Sequence, residues 1–172
     1  SLWGMGLLSH ALSYPLFAYR LYGSVLLSAT GTTAANIGAI ALMTLAVQRF
    51  QSRRGPTLPA AVVCAPVPAG LVLALVTVHS NQWRTVSNAL VLSIEAAMLG
   101  WASWAPWLTG VRERGRVLLT SGSGLLIFLL TARTVQAALG SNWSAPMPVG
   151  VPEVLQAQTY FVTIGVQLLI TM

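Results

Sequence analysis

One acidic side chain, Glu95, stands near the middle of NQWRTVSNALVLSIEAAMLGWASWAPW (81–107), and no other feature limits the fold of this chain as tightly. Arg84, Ser87, Asn88, Val91 and Glu95 recur at i, i+3, i+4, i+7 and i+11, so a 3.6-residue period puts them on one mostly polar stripe of a helix. The rest of that helix is rich in Leu, Val, Ala and Met, and it closes with Trp101, Trp104 and Trp107, as expected where a helix meets a membrane interface. At about 1.5 Å per residue from Arg84, Glu95 lies roughly 16 Å deep, near the middle of an approximately 30 Å hydrocarbon layer. A carboxylate at that depth needs a partner, a proton or water.

Composition agrees with a membrane reading. Of 172 residues, 55% are hydrophobic and 7% charged, and the mean hydropathy is +0.73; a soluble domain carries roughly 25% charged residues. All nine basic residues are Arg, set against three acids, for a formal charge of +6. They sit mostly in short gaps between apolar runs, which makes them a topology signal and not a nucleic-acid patch. Cys64 is the only cysteine, so neither an intramolecular disulfide nor a multi-cysteine metal site is expected.

The expected fold is all-α, a polytopic transmembrane helical bundle with about six helices in this chain. Helix A covers about Leu2 to Tyr19, with a kink expected at Pro15. Helix B covers about Ser24 to Gln48, and its first half, SATGTTAANIGA, is dense in the small residues that let backbones approach. Helix C takes about Ala60 to Val78 and contains Pro66 and Pro68. Helix D is the 81–107 stretch, helix E runs from about Val117 to Leu139, and helix F from about Glu153 to Met172. The Arg-rich segments 48–59 and 109–116 share one side of the membrane, the cytoplasmic one by the positive-inside rule. Arg20, the 79–84 turn and the 140–152 link then face outward, and helix F delivers the C-terminus to the cytoplasm. The absence of an initiator Met and the apolar runs at both ends read as one domain, 1–172, cut from a longer protein.

On this topology the outer half of the bundle collects Asn36, His79, Arg84, Ser87, Asn88, Arg133, Gln136, Gln156 and Tyr160, with Glu95 deeper. On helix F, Gln156, Tyr160, Thr163 and Gln167 form another stripe. Polar groups facing lipid are costly, so an outward-opening pocket for a small anionic or zwitterionic molecule accounts for all ten candidates together. Against this stands a simpler role. Intramembrane Asn, Gln and Ser hydrogen-bond helices to one another, Arg near a helix end snorkels to headgroups, and Glu95 and Arg133 can pair with each other. His10, alone on a mostly apolar helix, fits a hydrogen-bonded bundle residue better than a ligand.

No catalytic residues, metal ligands or cofactor are expected. Gly122, Ser123 and Gly124 suggest an intramembrane serine protease, but Ser121 occupies the place of the glycine two residues before the nucleophile, and both histidines lie on other helices. Two distant histidines and one cysteine make no metal motif. A transporter or channel with Glu95 and Arg133 lining its path is the competing reading, with Pro15, Pro66 and Pro68 marking broken helices.

Several segments together resemble a known family. AANIGAIALMTLAVQRF with Asn36 and Arg49-Phe50, the Gly55-Pro56 loop, NQWRTVSNALVLSIEAAMLG with Arg84 and Ser87, LLTARTVQAAL with Arg133, and LQAQTYFVTIGVQLLITM are similar to the N-terminal multi-helix membrane sensor region upstream of GGDEF diguanylate cyclase domains in many proteobacterial proteins. The resemblance covers about residues 30 to 172. It departs after helix C, where TVHSNQW replaces an aromatic-rich segment. It implies one further helix before Ser1, an inner-membrane location, a homodimer with helix F at its seam, and signalling through helix F to a cytoplasmic enzyme that makes cyclic di-GMP.

Overall fold

The computed structural model describes residues 1–19, 22–51, 57–104 and 113–139. They form six helices with no strand among them: α1 (Leu2–Ala18), α2 (Val25–Gln51), α3 (Ala60–Cys64), α4 (Pro66–Val76), α5 (Asn81–Ser103) and α6 (Glu113–Leu139). The expected helix F lies outside the described residues.

Helices α1 and α2 form an antiparallel hairpin. Ser1 caps α1 by accepting a hydrogen bond from the Gly4 N–H, and the helix continues through Pro15 to Ala18. It ends where the N–H groups of Tyr22 and Gly23 both return to the Tyr19 carbonyl, at 3.1 and 2.8 Å. The small-residue half of α2 permits the close approach: the Ser9 hydroxyl donates to the Ala35 carbonyl at 2.9 Å, and the Ser28 hydroxyl to that of Leu16 at 2.8 Å. Gly31 packs against Leu16 and Gly6 against Ala39.

The helix expected over 60–78 is two helices. Pro66 has no N–H to continue the ladder, and the Ala65 N–H instead returns to Val62 at 3.3 Å. Ala65, the one residue between α3 and α4, keeps right-handed helical angles (φ −58°, ψ −35°). Pro66 and Pro68 then occupy the first turn of α4, where backbone N–H groups have no intrahelical partner to lose.

Helix α5 begins at a Ser80 cap and stops at Ser103, four residues before the expected Trp107; Trp104 is already extended (φ −77°, ψ 106°). Two residues further on, the sequence has Pro106, which has no N–H to continue a helical ladder. Helix α6 starts earlier than Val117, with Glu113 in its first turn.

Helix α2 is central, packing on α1, α3, α4 and α5, while α5 also packs on α4 and α6. Ile37 of α2 and Val91 of α5 meet at Gly70 of α4, and Ile40 and Met43 meet Leu99 further along. α2 and α5 are therefore parallel. On the other side of α5, Gly100 meets Ser123 and the Gln82 amide donates to the Ala137 carbonyl at 3.0 Å, so α6 is antiparallel. The ends of α2 and α5 that lead into the Arg-rich segments thus lie at one end of the bundle.

Polar side chains are buried alongside the apolar core, and many large apolar ones lie on the outside. Ser28, Thr32, Thr33, Asn36, Thr44 and Gln48 of α2 are buried, whereas Met5, Leu8 and Leu12 of α1, Val72 and Val76 of α4, and Leu125 and Phe128 of α6 are exposed. Two helices, Val25–Phe50 and Gln82–Ser103, are long and apolar enough to cross a membrane; Ala60–Val76 and Val117–Ala132 are shorter apolar stretches.

Candidate functional site

Three helices meet around a small void in the half of the bundle remote from the Arg-rich segments. Thr33 comes from α2, Gly70, Leu73 and Ala74 from α4, and Arg84, Ser87 and Asn88 from the first two turns of α5. The α5 residues reach it because i, i+3 and i+4 share a face, while Gly70 leaves room by having no side chain. The void is about 10 Å³, near the lower limit for one water molecule. Three of the ten candidates read from the sequence, Arg84, Ser87 and Asn88, are brought together here.

The remaining candidates are distributed differently. Asn36 is buried but does not line the void; it lies on α2 beside His10 of α1. His10 is itself paired, its Nε2 3.1 Å from the Tyr14 hydroxyl with the two rings edge to face. His79 is exposed in the turn after α4. Arg133 and Gln136 are on α6, their side chains outside those described; the register set by Ala137 and Ser123 puts the Arg133 backbone near the level of Ser87 and Asn88. Gln156 and Tyr160 lie outside the described residues.

Glu95 is fully buried, two turns inward from Asn88. Val91 and Leu99, one turn before and after it, both pack toward α2, so the carboxylate sits on the α2-facing side of α5. Neither of its oxygens has a hydrogen-bond partner among the described residues. The same is true of Thr32 Oγ1 and Asn36 Oδ1 on α2 and of Asn88 Oδ1 on α5. Inward of Glu95 the seam closes with Ile40, Met43 and Leu99.

Ser123 is buried with its hydroxyl donating to the Leu119 carbonyl at 2.9 Å, and its neighbour across the interface is Gly100. It serves the packing of α5 on α6.

This chain matches no protein-family model, no curated protein and no solved structure. The reading of the site therefore rests on its residues alone. Among the described residues no three His, Cys, Asp or Glu side chains are grouped to hold a metal. Thr33, Gly70, Leu73 and Ala74 are the lining residues that sequence reasoning missed. Thr33 belongs to a run of small residues that reads as packing, and only its position one turn before Ile37, which meets Gly70, sets it apart.

Proposed function

We propose that this chain is a membrane sensory input domain whose outer half binds a small anionic or zwitterionic ligand and whose last helix carries the change to a cytoplasmic diguanylate cyclase. The observation that carries this reading is the convergence of Arg84, Ser87, Asn88 and Thr33 around one void between α2, α4 and α5. Arg84 supplies the charge and the planar donors suited to a carboxylate or phosphate, and the hydroxyls and amide supply orientation. The many exposed large apolar side chains support lipid as the surrounding solvent for a multi-pass bundle in a bacterial inner membrane.

The void takes no more than a water, so a ligand enters only if α4 and α5 part around Gly70. That requirement suits a sensor: a ligand that binds the opened arrangement better than the closed one shifts the balance between them. The resemblance to GGDEF-linked sensor regions supplies the output and the homodimer, with residues 153–172 at its seam. Buried Thr44 and Gln48 lie further along α2, so what separates this reading from a transport path is whether substrate crosses the membrane.

The test is a thermal-shift screen of small anionic and zwitterionic metabolites against the protein in lipid nanodiscs, followed by flux measurements in proteoliposomes. The expected outcome is a ligand whose saturable stabilisation is lost in Arg84→Ala and Ser87→Leu, with no flux. Substrate-driven flux would transfer the reading to a transporter. In cells carrying the full-length protein, the same ligand changes cyclic di-GMP production.

A further inference from the structure

Asn88 sets a requirement on the occupant of the void that Arg84 does not. It stands one turn after Arg84 on the same face of α5, about 6 Å further along the axis, and both residues line the void between α2, α4 and α5. Its Oδ1 is buried and has no hydrogen-bond partner among the described residues. Buried amide oxygens are normally satisfied, and leaving one bare is costly. The group that meets Asn88 Oδ1 must therefore bring a hydrogen.

A singly charged ligand fails at one end of this pair. A carboxylate or phosphate suits the Arg84 guanidinium but turns only acceptor oxygens toward Asn88 Oδ1. An amine donates to Asn88 Oδ1 but sets a positive charge beside Arg84. A molecule with both groups meets both residues. A primary ammonium group is close to water in size, and the void of about 10 Å³ has room for about one water. Ser87 and Thr33 line it as well, and their hydroxyls accept further N–H hydrogens.

Resting on the sensor reading for its site, we infer that the ligand is a zwitterion with a primary ammonium group. Arg84 holds its anionic group toward the outer end of the bundle, and Asn88 Oδ1 accepts from its ammonium group one turn further in. The dipole of α5, positive at the end that bears Arg84, favours the same orientation. A free α-amino acid and the ethanolamine headgroup of a lipid both carry this chemistry. The quaternary ammonium of a betaine or a choline headgroup has no N–H to give.

Binding is measured on the protein in phosphatidylglycerol nanodiscs, which contain no amine, with matched probes: each α-amino acid, the carboxylic acid lacking its amino group, the amine lacking its carboxylate, and the N-trimethyl betaine. At least one amino acid is expected to bind saturably, about tenfold or more tighter than its three partners. Arg84→Ala weakens that binding. Asn88→Leu, similar in size, cuts the advantage over the carboxylic acid by about tenfold, whereas a merely loosened bundle would weaken both probes and leave their ratio. Asn88→Asp keeps an acceptor and preserves the ratio. Arg84-dependent binding of phosphatidylethanolamine, with no free amino acid bound, would support the same chemistry and assign its source to the headgroup. A carboxylic acid that binds as tightly as its amino acid, the result if the Asn88 amide turns its Nδ2 toward the anion, would overturn the zwitterion and leave the sensor reading standing. No Arg84-dependent binding of any probe in either lipid would overturn it too, and the wider anion screen then decides the sensor reading alone.

Discussion

Gly6 of α1 lies so close to the Ala39 carbonyl of α2 that a methyl group on it would stand 2.9 Å from that oxygen and 3.0 Å from the Met43 side chain. The obstacle is backbone, which cannot rotate away as a side-chain tip does, so the hairpin docks through a glycine. Gly6→Ala is expected to destabilise the protein by about 1–3 kcal/mol, the usual cost of overpacking. Gly38→Ala, whose methyl would meet only Ser9 Oγ at 3.9 Å, serves as the control and leaves stability unchanged. Unfolding in mixed micelles followed by circular dichroism distinguishes the two variants.

Helices α5 and α6 are joined by a hydroxyl pair, Ser103 Oγ and Thr120 Oγ1 at 2.9 Å. Ser103 gives its own hydrogen to the Gly100 carbonyl at 2.8 Å, so Thr120 is the donor to Ser103. A double-mutant cycle with Ser103→Ala and Thr120→Val should yield a coupling of about 0.6 kcal/mol, in the range of interhelical hydrogen bonds in membranes. Zero coupling would mean that the two hydroxyls do not act as a pair.

The His10–Tyr14 contact predicts a local effect. Tyr14→Phe removes the hydroxyl that faces His10 Nε2 at 3.1 Å while keeping the ring that meets the imidazole edge to face. A loss of about 1 kcal/mol is expected, typical of one hydrogen bond. Nitrogen chemical shifts of the His10 ring should change with it, and an unchanged Nε2 signal would contradict the pairing.

Orientation is open to labelling. With the exposed Cys64 replaced by Ser, a cysteine at Thr57 and one at His79 occupy exposed positions at opposite ends of α3 and α4. A membrane-impermeant maleimide should modify His79→Cys in intact spheroplasts and Thr57→Cys only in inverted vesicles. The reverse pattern would invert the bundle and move the Arg84 void to the cytoplasmic side.

The part of the void supplied by α5 was legible because its signal is local. Arg84, Ser87 and Asn88 share a face by helical spacing, and that spacing survives any tertiary arrangement. Glu95 was legible as an acid in the middle of an apolar helix, but its full burial is a result of packing. Asn36 shares the depth of that face but does not line the void. Its neighbour is His10, and the facing that decides between α1 and α4 depends on which residues pack around it. His79 is exposed because α4 ends before it, at Val76.

The sequence by itself determined the helical class and the runs that become α1, α2, α5 and α6, since apolar length and 3.6-residue periodicity are properties of neighbouring residues. Only the tertiary structure decided that Ile37 and Val91 meet over Gly70, that Gly6 admits the Ala39 carbonyl, and that Thr33 completes the void. Those outcomes depend on the relative sliding of helices far apart in the chain. That sliding is set by the fit of small and large side chains across each interface, which no local pattern encodes.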